Sequence, residues 1–120
     1  HRLAGASEVL ISSGRRFALI HELRNAEEWT LEQLIGLVAP VDLLFVEGFK
    51  REPHPKIEVF RAENRKSPLH PENATIRAIA ADCPFPDAGR PVYALDDVEK
   101  ICEAALDFAV PVDSVFPRRM

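Results

Sequence analysis

Residues 42–60 read DLLFVEGFKREPHPKIEVF, from Asp42 to Phe60. Leu43, Leu44, Phe45 and Val46 form a short unbroken apolar run, which predicts a strand buried on both faces rather than an amphipathic helix. The run stops at Glu47, and Gly48 follows with no side chain to block an approaching ligand. In open α/β sheets the C-terminal edge of the strands is where ligands usually bind. A basic, proline-punctuated loop, Lys50 to Lys56, then leads into a second predicted strand, Ile57 to Phe60.

Upstream, His1 to Ala6 reads as the last turn of a helix, with Gly5 as its C-terminal stop. Glu8 to Ser12 and Phe17 to Leu23 are two strand-like runs joined by Ser13-Gly14-Arg15-Arg16, which predicts an antiparallel hairpin. Within it His21 reads as a packed or edge-strand histidine, having no cysteine or second histidine beside it. Thr30-Leu31-Glu32-Gln33 fits the S/T-x-x-E/Q capping box. Leu31, Leu34, Ile35 and Val38 supply the apolar stripe of the helix that follows, closed by Pro40. A helix ending just before a buried strand is half of an α/β crossover unit.

Downstream, Ala62 to Asn73 is polar and contains Pro68 and Pro71, so it is expected to be an exposed connection in which His70, like His54 earlier, is solvated. Thr75 to Ala81 has weak strand character and ends at Asp82-Cys83-Pro84. Val92 to Ala94 is a further short strand. Asp96 is placed to cap a last helix against Glu99, and Val98, Ile101, Cys102, Ala105 and Ala109 mark its expected buried side.

The chain has 120 residues, 47% hydrophobic and 28% charged, the composition of one globular α/β domain spanning 1–120. No apolar stretch is long enough to cross a membrane, and the start lacks a signal-peptide pattern, so the expected compartment is cytoplasmic. Two widely spaced cysteines, Cys83 and Cys102, read as reduced thiols. The net charge of −4 argues against general nucleic-acid binding. It also hides a local excess: Phe49 to Lys66 holds six basic and three acidic residues. That patch suits a phosphate-bearing small molecule or an acidic partner, and equally a solvated loop.

Chemically, a carboxylate at a strand end followed by glycine is what a nucleotide site needs on its Mg²⁺ side: Glu47 would hold the ion and Gly48 would let a phosphate come near the backbone. Asp82 offers two acceptor oxygens, as needed for the paired N–H donors of guanine, although a turn or capping aspartate has the same local pattern. A phosphate loop of the form G-x-x-x-x-G-K-S/T is absent, because the glycines stand at 5, 14, 36, 48 and 89. There is likewise no G-x-S-x-G, H-E-x-x-H or C-x-x-C motif.

The segments EVLISSGRRFALIHEL, VDLLFVEGFKREPHPKIEVFR and IRAIAADCPFP together resemble the molybdopterin-guanine dinucleotide biosynthesis adapter proteins, a family of P-loop GTP-binding proteins. The resemblance covers nearly the whole chain, and its most specific block is VEGFK…PKIEV. It implies an α/β, P-loop NTPase-like three-layer fold with a mixed sheet. It also implies a homodimer that binds GTP and Mg²⁺ with weak hydrolysis, assisting the molybdenum cofactor guanylyltransferase that joins GMP to molybdopterin. Glu47 and Gly48 match the family's Mg²⁺-side acid and glycine. Lys50 and Lys56 match basic positions where a nucleotide or pterin phosphate could sit, and Asp82 matches an acid assigned to guanine. Family members begin with a strand, the phosphate loop and a helix, which precede the point where this chain starts. The chain is therefore expected to be N-terminally truncated, the C-terminal two-thirds of the domain. Two other functions fit the residues: a nucleotide-free dimerising scaffold that docks a cofactor-maturation partner, and a small phosphotransferase in which Glu47 serves Mg²⁺ or acts as base.

Overall fold

The computed structural model describes residues 3–117. The chain forms two compact units, His1–Ala39 and Pro40–Met120.

The first unit holds the hairpin β1 (Glu8–Ser12) and β2 (Phe17–His21), followed by the short helix α1 (Leu31–Ile35). The strands pair antiparallel from Glu8↔His21 to Ser12↔Phe17, and the turn closes with Ser13 N–H donating to Arg16 O at 2.8 Å. Opposed residues share a face, so Leu10, Leu19 and Phe17 lie on one side and Val9, Ile20, Ile11 and Ala18 on the other. Both sides are apolar, and Leu10, Ile11, Phe17, Leu19 and Ile20 are all exposed. His21 is exposed at the strand end, with Nδ1 3.9 Å from Glu8 and its ring 6.0 Å from that of Trp29. The capping box at α1 forms as expected: Gln33 N–H donates to Thr30 Oγ1 at 3.1 Å, and Thr30 N–H to Gln33 Oε1 at 2.8 Å. The helix is shorter than its apolar stripe. Beyond Ile35 the amides of Leu37 and Val38 bond three residues back, tightening the last turn, and Val38 is exposed. At the N-terminus Leu3 to Gly5 form a turn in which Gly5 has φ 98°. The remainder of that expected helical turn, at residues 1 and 2, lies outside the described residues.

The second unit is built on a parallel sheet of order β3-β4-β5, with β3 at Lys56–Phe60, β4 at Ile76–Ala81 and β5 at Val92–Ala94. β4 is central and paired on both edges. Its alanines, Ala78, Ala80 and Ala81, are buried with Ile76 and Ile79, and small side chains let neighbouring layers approach closely. Central placement outweighs the poor strand propensity of alanine. Ile76, Ile79 and Ala81 form the core with Phe60, Phe85 and Ala88 packed against them. Helix α2 (Val98–Phe108) contacts β4, and the Arg77 guanidinium lies 5.6 Å from the Phe108 ring centre. A last short helix, α3, spans Val112–Val115.

Several expectations are corrected in this unit. Leu43 to Val46 is not a strand: residues 41–48 make no backbone hydrogen bond among the described residues, and Phe45 is 74% exposed. An apolar run shows what can be buried, but a strand exists only where another strand takes its N–H and C=O groups. The face of α2 is also rotated from the expected one. Ala104 is buried and Ile101, Ala105 and Phe108 half-buried, whereas Val98, Cys102 and Ala109 are exposed. The cap is Asp97, which accepts from Lys100 N–H at 3.3 Å, and not Asp96. His70 and His54 are corrected as well: His70 is buried, and His54 is half-buried with Nδ1 sealed, rather than solvated, and both belong to the site described next.

Candidate functional site

β3 and β4 run parallel, so their C-terminal ends share one edge of the sheet and their N-terminal ends the other. At the C-terminal edge, β4 delivers Asp82 directly after the buried Ala81, and β5 delivers Leu95 and Asp96 after Ala94. Between them lies a depression of about 490 Å³, whose lining includes Asp82, Cys83, Pro84, Tyr93, Leu95 and Asp96. Asp82 Oδ1 accepts from the Ala62 amide at 3.0 Å, which ties the start of the 3₁₀ turn Ala62–Asn64 to the strand end. Oδ2 makes no hydrogen bond among the described residues, so the carboxylate keeps acceptor capacity while its direction is set.

The N-terminal edge is organised by Lys56. Its ammonium donates to Glu52 O, to His54 O at 2.9 Å and to Thr75 Oγ1 at 2.9 Å. Those three bonds use all three N–H groups of the side chain. Asn73 extends the network: Nδ2 donates to Lys50 O at 3.3 Å, and Oδ1 accepts from Thr75 N–H at 3.0 Å and Thr75 Oγ1 at 2.6 Å. Arg90 closes it by donating to Asn73 O at 3.2 Å. The loop thereby gains a fixed shape, and Lys56 acts as its internal brace. Burial lowers the Lys56 pKa from its ordinary value, with Glu52 opposing. Burial also lowers that of His54, helped by the positive charge of Lys56 and opposed by Glu52, and His54 Nδ1 is sealed without a partner.

Glu47, Gly48 and Lys50 are exposed on the segment leading into this loop. Gly48 and Phe49 are both left-handed, at φ 82° and 52°, and a Cβ on Gly48 would meet nothing within 4 Å. The turn thus needs glycine for its backbone angle and leaves open space above it. The Glu47 carboxylate has no ion pair or hydrogen bond among the described residues, so it could take one hydrated cation. Mg²⁺ is commonly held by one or two carboxylates together with substrate phosphates. No group of three or more metal-ligating side chains occurs among the described residues.

The five residues singled out from sequence do not converge on one pocket. Lys56 pairs with Ile76 at one end of β4 and Asp82 follows Ala81 at the other, about 20 Å away at strand rise. Lys50 lies with Lys56, joined to it through Asn73 and Thr75.

Sequence reasoning missed the group in the middle. Glu58, only 9% exposed, accepts from Leu69 N–H at 2.7 Å, from His70 N–H at 3.0 Å and from the His70 ring at Nδ1, 3.0 Å. His70, 4% exposed, stacks edge-on against Phe85, and Phe85 against Phe60. The connection between β3 and β4 is thereby fastened back onto the sheet. A signal existed in Lys56, Glu58 and Phe60 alternating with Ile57 and Val59. Here the acid's face is the covered one, while Val59 is 69% exposed.

The comparisons bear on this architecture. The family model for molybdopterin guanine dinucleotide synthesis protein B matches residues 1–82. The molybdopterin-guanine dinucleotide biosynthesis adapter protein of Escherichia coli (strain K12) is 32% identical over 111 residues, 89% of this chain and 62% of that protein. The protein of the same name from Haemophilus influenzae is 34% identical over 84 residues, 68% of this chain and 46% of that protein. The chain thus spans less than two thirds of the length of either relative. No described helix is long and apolar enough to cross a membrane. With its parallel sheet and a family match covering more than half its residues, this chain belongs to the molybdopterin guanine dinucleotide synthesis protein B family.

Proposed function

We propose that the chain is part of a GTP-binding adapter in molybdopterin guanine dinucleotide biosynthesis, one that assists a guanylyltransferase in attaching GMP to molybdopterin. The observation that carries this reading is the depression at the C-terminal ends of β4 and β5, into which Asp82 brings an anchored carboxylate. A guanine base presents N1–H and N2–H₂ donors, and a carboxylate with spare acceptor sites is their complement. Tyr93 and Pro84 offer flat walls for the ring. On the same reading Glu47, Gly48 and Lys50 offer an acid, an open backbone and a positive charge to a Mg²⁺-bound phosphate, a contact separate from the guanine one because Lys50 lies at the end of the sheet opposite Asp82. Lys56 contributes by bracing the loop that presents Lys50. The adapter is a cytoplasmic homodimer whose exposed hairpin β1–β2 meets a second copy, which would bury Leu10, Phe17 and Leu19.

The test is a titration with fluorescent GTP, ATP and xanthosine triphosphate, with and without Mg²⁺, on the 120-residue chain and on a form extended upstream. Asp82→Asn replaces one acceptor oxygen with a donor, and is expected to reduce the preference for GTP over xanthosine triphosphate about tenfold. An unchanged ratio in whichever form binds removes Asp82 from base recognition. If neither form binds nucleotide while both dimerise, the nucleotide-free scaffold replaces this reading.

A further inference from the structure

A second depression, about 260 Å³, lies beside the first and shares Pro84 with it as a wall. Pro68, Pro71, Pro84 and Pro86 line it, and His70 and Asp87 are the polar groups of its described lining. Proline walls are rigid because the ring fixes φ and loses little freedom when a ligand is bound. Phe85, also in the lining, is held edge-on against both His70 and Phe60.

The polar atom of interest is His70 Nε2. Glu58 accepts from the backbone amides of Leu69 and His70 and faces the His70 ring at Nδ1. A carboxylate surrounded by donors places the ring proton on Nδ1, which leaves Nε2 of the neutral imidazole as a lone-pair acceptor. Nε2 has no hydrogen-bond partner among the described residues, and it is not sealed from solvent as His54 Nδ1 is. A nine-tenths-buried histidine is thus oriented by an equally buried acid, with its free nitrogen left for something outside the protein. Asp87, exposed in the same lining, adds a second acceptor.

We infer that this cup is a binding site for one planar heterocycle that presents adjacent N–H donors, of the 2-amino-4-oxopyrimidine kind shared by pterins and guanine. The volume decides the size: pockets for drug-sized ligands run to about 300–1,000 Å³, so this one admits a ring system and not a whole nucleotide. Two acceptors and no donor side chain among the described residues of the lining decide the polarity, because a ligand edge rich in acceptors would leave His70 and Asp87 facing lone pairs. The shared Pro84 wall makes the cup a neighbouring subsite to the base depression, so a molecule with two heterocycles could engage both. The choice of ring class rests on the proposed function, whereas the cup and its two acceptors do not.

The experiment is a titration of the 120-residue chain with 6-hydroxymethylpterin, followed by its own fluorescence, and separately with guanosine. Each is repeated on His70→Asn, Asp87→Asn and Asp82→Asn. Asparagine at 70 reproduces the Nδ1–H donor to Glu58 and deletes Nε2. Exposed Asp87 tolerates replacement, so the test survives if His70→Asn fails to fold. Pterin affinity is expected to fall about tenfold in His70→Asn and Asp87→Asn and to hold in Asp82→Asn. Guanosine competing for the pterin site with the same variant pattern would make guanine the occupant; guanosine sensitive to Asp82→Asn alone would leave the cup to the pterin. Absence of pterin and guanosine binding at millimolar concentration, or affinities indifferent to both cup variants, overturns the inference. Loss of GTP binding with pterin binding intact would overturn the nucleotide reading alone.

Discussion

Glu58 is expected to contribute more to the stability of the second unit than any acid on its surface. Its carboxylate takes two backbone N–H groups and one imidazole, all within 3.0 Å, at 9% exposure. Hydrogen bonds to a charged group contribute about 1.5–3 kcal/mol each, though three at one carboxylate do not add. Glu58→Ala leaves three donors without their acceptor, and a buried donor left unsatisfied costs about 1–3 kcal/mol, so a loss of about 3–5 kcal/mol is expected. Glu58→Gln keeps one acceptor oxygen but turns an amide NH₂ toward N–H groups, so about 1.5–3 kcal/mol is expected. Against the roughly 5–15 kcal/mol of a typical domain these are large losses. The assay is urea unfolding followed by far-ultraviolet circular dichroism, with Val59→Ala as a control on the same strand. Val59 is 69% exposed, and its truncation should stay within about 0.5 kcal/mol. A Glu58→Gln variant as stable as that control would refute the claim that the carboxylate fastens the β3–β4 connection.

Three further outcomes follow from the same geometry. Because burial and the charge of Lys56 lower the His54 pKa below its ordinary 6.5, the unfolded chain binds more protons than the folded one as pH falls past that value. The contribution of His54 is fully present above pH 6.5 and lost as pH falls toward the folded pKa. His54→Asn should flatten that part of the curve of unfolding free energy against pH, and an unchanged slope would contradict the burial. Gly48→Ala places a side chain at φ 82° and should cost about 1–2 kcal/mol in urea unfolding while meeting no steric contact. A cost near zero would show that the turn relaxes to negative φ. Thr30→Ala removes the capping box and should destabilise the first unit by about 1 kcal/mol, read by hydrogen exchange at Gln33, whose amide loses its acceptor.

The sequence by itself determined the features that depend on neighbours along the chain. The hairpin β1–β2 and the Thr30 capping box rest on bonds within a few residues. Local chemistry is enough there, and the VEGFK…PKIEV block likewise sufficed to identify the family. Tertiary structure decided whatever depends on partners far along the chain. Leu43 to Val46 has the composition of a buried strand but no neighbour to pair with among the described residues. The poor strand former Ala78-Ile79-Ala80 becomes the centre of the sheet because it is paired on both edges. Lys56 reads as a ligand-binding cation until Glu52, His54 and Thr75 are seen to use its three donors. Glu58 and His70, twelve residues apart, read as a strand acid and a solvated loop histidine. Only the return of the chain over β3 buries the pair, because desolvation and hydrogen-bond geometry belong to the packed molecule and not to the order of its residues.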